Sequence, residues 1–218
     1  PREDGVPMRG YAPRKSTGVH DDLYARTLVI EAEDGTATAL MTLALCNLRV
    51  SFMERIREGI TEQTGIPEDN IIISFTHTHS GPAVSGASET YQDYLVEQSI
   101  ASAAQAWESR FPARIGVGST IVMGLGMNDR RMLHGGMHAD PEVGIIKVED
   151  ANGVLKGVAF NYGCHPSTLD LHNLEFTEDW PYYSIAGLKE ELGGDVWVAY
   201  FQSAQGDAKV GEAGFNAF

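Results

Sequence analysis

The chain has 218 residues, 43% of them hydrophobic and 24 of them glycine, enough to bury the core of one α/β domain. Its 30 acidic and 16 basic residues give a formal charge of −14, which repels phosphate backbones and anionic membrane surfaces and argues against a nucleic-acid partner. No apolar run approaches the roughly 18 residues that cross a bilayer, so no transmembrane segment is expected.

Residues 1 to 14, rich in proline and glycine among charges, read as irregular structure, with Met8 and Tyr11 available to tuck onto a core. Tyr24 to Glu33 and Thr36 to Leu48 are apolar runs joined by Asp34-Gly35, a hairpin signal that predicts antiparallel pairing. Ser51 followed three residues later by Glu54 has the spacing of a capping box. Phe52, Ile56 and Ile60 supply the apolar stripe of the helix that follows, and Gly65 and Pro67 stop it. A second helix carries Val96, Ile100, Ala103, Ala104 and Trp107 on one face. Ala113 to Gly126, with four glycines, predicts one or two bent strands. Val143 to Val148 and Val154 to Cys164 are strands around a turn at Asp150-Ala151-Asn152-Gly153. Pro181 opens a third helix with Ile185, Leu188 and Leu192 inward, and Asp195 to Phe201 is a further buried-type strand. Cys46 and Cys164 each fall in an apparent buried strand and are expected as packed thiols rather than as a disulfide.

Chemistry concentrates where apolar strands end. Ile71 to Phe75 is β-branched and aromatic without alternation, the pattern of a central strand covered on both faces. It runs into Thr76-His77-Thr78-His79-Ser80-Gly81-Pro82, and persistent strand geometry would put both imidazoles on one face. His165 follows a second strand, and Gln205 and Asp207 follow a third. If the three strands share a sheet and a direction, their ends meet in the crevice where α/β sheets hold ligands. Two histidines and a carboxylate would suffice for a hydrolytic zinc, whereas a turn histidine at His165, a helix N-cap at Asp179 and a turn residue at Asp207 are the plain structural alternatives. Arg130 and Arg131, after Asn128-Asp129, are candidates to hold a carboxylate or a developing oxyanion. His20, His134, His138 and His172 read as loop histidines without a site role. The chain has no Gly-x-Ser-x-Gly elbow, phosphate-binding loop or dinucleotide fingerprint in the required context, and no aspartate-rich cluster suited to a two-metal phosphoesterase.

The motifs PMRGYA from Pro7, DDLYARTLVIE from Asp21, THTHSGP from Thr76, DPEVGIIKVED from Asp140, NYGCHP from Asn161 and QGD from Gln205 occur in the order in which they stand in the neutral/alkaline, non-lysosomal ceramidases, taken in their broad bacterial sense. Along nearly its whole length the chain resembles the N-terminal catalytic domain of that family. The resemblance implies an α/β fold, a mixed β-sheet core with flanking helices in a layered sandwich, formed by residues 1–218 as a single, incomplete catalytic domain. It implies a zinc-dependent hydrolase of amide-type bonds, with a small-molecule or lipid-like N-acyl amide as substrate and a place in sphingolipid metabolism. His77 and His165 would be Zn2+ ligands, and His79 would face the reacting amide. Arg130, with Arg131 as its rival, would contact the substrate, while Asp179 and Asp207 would lie in or behind the substrate site. Family members carry a nucleophilic serine after the Gly-Asp step, where this chain reads Ala208-Lys209-Val210. Their remaining zinc ligands, a glutamate and a tyrosine, lie further along than Phe218. Direct attack by a metal-activated water is then the simpler mechanism, and a non-catalytic binding or scaffold domain of the same fold is the alternative. A secreted or periplasmic location fits the resemblance, whereas oligomeric state is not legible in the sequence.

Overall fold

The computed structural model describes residues 5–128 and 139–210. In chain order the elements are β1 (Gly18–Val19), β2 (Ala25–Glu31), β3 (Ala37–Leu43), α1 (Val50–Thr64), β4 (Ile71–Phe75), α2 (Glu89–Glu108), β5 (Ala113–Ile121), β6 (Gly126–Asn128), β7 (Glu142–Asp150), β8 (Leu155–Tyr162), β9 (Glu175–Phe176), α3 (Trp180–Leu192), β10 (Trp197–Gln202) and β11 (Ala208–Val210). The class is α/β with mixed sheets, as expected. Among the described residues no helix is long and apolar enough to cross a membrane.

The hairpin forms as its turn chemistry dictates. Gly35 adopts φ +83°, the Thr36 amide donates to Asp34 Oδ1 at 2.9 Å, and β2 pairs antiparallel with β3 from Ala25↔Leu43 to Glu31↔Ala37. β4 joins the free side of β3 in parallel, giving the order β2-β3-β4. Two expectations fail here. The central strand is β3, whose Ala39 and Met41 are fully buried, and β4 is hydrogen-bonded on one side only. Nor is β4 covered on both faces: Ile71, Ile73 and Phe75 pack into the core with Phe52, Ile56 and Ile60 of α1, whereas Ile72 is 54% exposed. Strand alternation thus operates beneath a sequence in which every position but Ser74 is apolar.

α1 starts two residues earlier than the Ser51/Glu54 spacing implies. Its N-cap is Arg49, which makes no side-chain cap bond, and Ser51 lies in the first turn. The stop is as read: Gly65 takes φ +76° and returns its amide to Thr61 O. α2 is capped by Ser88 and buries Val96 and Ala103 on the same core.

A second sheet has the order β10-β8-β7-β5, with β10 and β8 parallel and the β8-β7 and β7-β5 pairs antiparallel. α3 covers it with Trp180 and Ile185, which pack with Tyr162, Val198 and Tyr200 in a separate apolar cluster. Cys46 and Cys164 lie just past the ends of β3 and β8 rather than within them, and both are buried free thiols. The buried Glu178 accepts from Arg26 Nη1 at 2.6 Å and from the Tyr24 amide at 3.2 Å, pinning β2 to the turn before α3.

Candidate active site

Three imidazoles meet although they arrive from two different sheets. His77 and His79 follow β4, and His165 follows β8. Their ring centroids form a nearly equilateral triangle, with His77–His79 at 5.2 Å, His77–His165 at 5.0 Å and His79–His165 at 5.1 Å. The route differs from the expected strand alternation. β4 ends at Phe75, and His77 takes φ +66°, a left-handed conformation uncommon for a residue with a side chain and enriched at functional sites. The rings of His77 and His79 converge because the chain turns, and backbone bonds hold the turn: Thr76 N to Leu43 O at 2.9 Å, His77 N to Leu45 O at 3.0 Å and His79 N to Pro166 O at 2.9 Å.

Two ring nitrogens are already committed. His77 Nδ1 lies 2.9 Å from Cys46 O and His165 Nδ1 lies 2.8 Å from Gln205 O. A carbonyl can only accept, so both Nδ1 atoms carry the proton and both Nε2 atoms present a lone pair. Fixing the tautomer through Nδ1 in this way is what supports a metal-ligating histidine from behind. Zinc–nitrogen bonds of about 2.1 Å with tetrahedral opening place coordinated imidazole centroids about 5 Å apart, and the three rings have that spacing. The ring spacing is compatible with a metal ion.

The three donor atoms that gather within metal-binding reach among the described residues include a thiol: Cys46 Sγ and one nitrogen each of His77 and His79 lie within 4.8 Å of one another. In that group His77 Nδ1 is engaged by the Cys46 carbonyl, and burial pushes the Cys46 thiol up, with Arg9 offsetting only part of that. The two histidines after β4 are both held neutral. Burial lowers His77, with His165 adding to the effect, and burial followed by His165, His77 and Arg14 pushes His79 down to about 4. His79 Nδ1 is buried without a hydrogen-bond partner among the described residues.

The first residues form a strap over this triangle, a role that their irregular composition did not announce. Met8 bridges to Pro82, Arg9 N donates to Gly81 O at 2.9 Å, and Ala83 N donates to Pro7 O at 2.7 Å. Tyr11 sets its ring edge-on to His79 at 4.8 Å and donates its hydroxyl to Ser167 O at 3.2 Å. The Arg14 guanidinium donates to the carbonyls of His79 and Asn173 and lies over the Tyr11 ring. Gly10 has φ +108°, and a Cβ built there would stand 2.5 Å from His79 Cγ. Gly10→Ala is therefore expected to cost about 2 kcal/mol in strain and overlap and to lower turnover at least about 10-fold as His79 or the strap moves aside. Thermal melts and steady-state kinetics on the same preparation check both parts.

Strap and triangle enclose a cleft of about 850 Å³. Asp179 does not face it. Its carboxylate is fully buried, caps α3 through the Trp180 amide at 2.8 Å, and accepts from Thr168 N, Thr168 Oγ1 and Leu169 N, clamping the turn that follows His165. Asp207 is exposed and accepts from Asn128 Nδ2 at 2.9 Å, joining β11 to β6. Arg130 and Arg131 lie outside the described residues.

One residue that carries the geometry went unselected in the sequence. Gln202, at the end of β10, donates from Nε2 to Thr76 O and to Cys164 O, each at 3.0 Å. These are the carbonyls directly before His77 and His165. Its Oε1 accepts from Tyr200 Oη at 2.7 Å and from the Ser203 amide at 3.1 Å. The only available signal was a polar side chain closing a buried strand, which is common enough to carry no weight alone.

No family model matches the chain. It is 25% identical over 193 residues to the neutral ceramidase of Pseudomonas aeruginosa, a match covering 75% of this chain and 28% of that protein. Among solved structures it superposes on the crystal structure of neutral ceramidase from Pseudomonas aeruginosa with a TM-score of 0.86 at 20% identity, over 95% of this chain and 37% of the other. A ceramidase complexed with C2 gives a TM-score of 0.83 at 21% identity, over 94% and 36%. The chain thus spans little more than a third of the structures, and less of the curated relative.

Proposed function

We propose that this ceramidase-like domain hydrolyses linear amide bonds, with His77 and His165 as the protein's zinc ligands and the carbonyl of an N-acyl amide as the reacting centre. The observation that supports this most directly is the pair of Nδ1–carbonyl bonds, which leave Nε2 uncommitted on two histidines from separate sheets whose ring centroids are 5.0 Å apart. A zinc ion bound there would supply Lewis acidity toward the amide carbonyl and activation of water near neutral pH.

The chain's own groups set the rest. His79, neutral and with a depressed basicity, suits orienting the reacting amide through a hydrogen bond better than holding a proton as a lasting imidazolium. Tyr11 and Gly10 fix the plane of that ring from the solvent side. Asp179 and Gln202 act through others, the first by holding the turn after His165 and the second by tying the carbonyls before both ligands. Arg130 or Arg131 is assigned to the oxyanion or to the polar end of the substrate on the sequence alone. Asp207 is a positioning residue at the β11–β6 contact.

Metal content and hydrolysis test the proposal together. Wild-type protein equilibrated with zinc and then dialysed is expected to retain about one ion per chain, and His77→Ala and His165→Ala are each expected to weaken binding by more than the roughly 100-fold typical of supporting residues. An N-acyl amide panel should be cleaved by the wild type and stall in both variants and in chelator. Zinc retention unchanged by either substitution would remove the ligand assignment. Equal and negligible turnover by all three proteins would instead favour a binding domain that keeps the fold.

A further inference from the structure

Cations face the cleft and carboxylates do not. Acidic residues outnumber basic ones across the sequence by 30 to 16, yet the described residues around the cleft include Arg9, Arg14 and Lys15 and no aspartate or glutamate. Arg14 is occupied by backbone carbonyls. Arg9 is different. Its backbone is fixed by the bond to Gly81 O, while its exposed side chain makes no hydrogen bond or ion pair with any described residue. It lines the cleft together with Cys46, His77 and His79.

An arginine in that position has an electrostatic consequence. Its positive charge is balanced by no carboxylate of the cleft's described lining. A neutral amide leaves that charge uncompensated, whereas an anion balances it and gains a planar donor pair matched to a carboxylate. The chain's net charge of −14 repels anions at long range, so a local cationic mouth is what lets one enter.

We propose that Arg9 is an anion-recognition residue of the cleft and that the amide taken there carries a carboxylate close to the bond to be cut, the chemistry of an N-acylated amino acid. The class of substrate rests on the hydrolase reading above, whereas the recognition of an anion does not. Titration calorimetry of the whole chain at low ionic strength, with N-octanoylglycine against its uncharged counterpart N-octanoylglycinamide, separates the two. The carboxylate is expected to bind at least about 10-fold more tightly, with the ratio shrinking as salt is added. Arg9→Gln should bring the ratio close to one and Arg9→Lys should retain most of it. Arg55→Gln, which removes the same charge from a residue paired with Asp93 on α1, should leave it intact. Equal binding of the two probes, binding of neither, a ratio unmoved by Arg9→Gln, or an equal fall in Arg55→Gln would each overturn the assignment. Hydrolysis is scored separately: failure to cleave either probe with the binding ratio intact sinks the hydrolase reading and leaves the anion site standing. Cleavage of both with a ratio of one does the reverse.

Discussion

Asp179→Ala is expected to destabilise the fold by about 4 kcal/mol and to weaken zinc binding at least about 10-fold, although the residue does not touch the cleft. The carboxylate has no exposed surface and accepts from the amides of Thr168, Leu169 and Trp180 and from the Thr168 hydroxyl. Truncation strands three amides, each costing about 1–3 kcal/mol when left buried and unpaired. It also leaves alanine at φ +65° and ψ −146°, a backbone conformation strained for any residue with a side chain and held here by the four bonds the carboxylate accepts. The turn these bonds hold begins two residues after His165, so loss of the clamp should appear as loss of metal affinity. Asp179→Asn keeps one acceptor oxygen and should lose about half as much stability. Urea denaturation of the zinc-free proteins, together with zinc titration, checks the two parts. An alanine variant within about 0.5 kcal/mol of wild type would refute the clamp.

Gln202→Glu should cost about 3 kcal/mol near neutral pH while changing almost nothing in shape. The side-chain amide donates to two carbonyls and accepts two hydrogen bonds. A carboxylate there would face Thr76 O and Cys164 O with no proton to give. The protonated acid restores one donor, so the folded-state pKa of the new group is raised above its unfolded value. Stability is then retained below the unfolded carboxylate pKa and lost as pH rises through the higher folded one, opposite in sign to a salt-bridged carboxylate. Melts of variant and wild type across pH 4 to 8 should show the gap widening as pH rises, and a constant gap would remove the donor role. Zinc affinity should fall with stability, since the two carbonyls precede His77 and His165.

What the sequence made legible follows from how local each signal is. The hairpin at Asp34-Gly35, the stop at Gly65 and the inward stripe of Phe52, Ile56 and Ile60 depend on residues within one or two turns, and each stands as read. The ends of β8 and β10 fall together because these strands pair in parallel in one sheet, whereas β4, expected in the same sheet, belongs to the other one. The meeting of His77, His79 and His165 was anticipated, but by the wrong local geometry. Alternation was assumed through Thr76–His79, whereas the chain leaves the strand and turns at His77. Non-local partners were the blind spot. Gly10 matters because of His79, 69 positions later, and Gln202 because of carbonyls 126 and 38 positions away. No period or composition marks such residues. Ile72 shows the converse error, an apolar side chain that composition placed inside and packing left outside.

The two apolar clusters of the domain do not share the site. His77 and His79 hang from the α1/α2 side and His165 from the α3 side, and polar contacts tie them across: Gln202 to the carbonyls before His77 and His165, and His79 N to Pro166 O. Oil-like cohesion is concentrated within each half, and the alignment of the imidazoles leans on these amide bonds. A solvent that competes for amides is therefore expected to loosen the register of the triad before it unfolds either half.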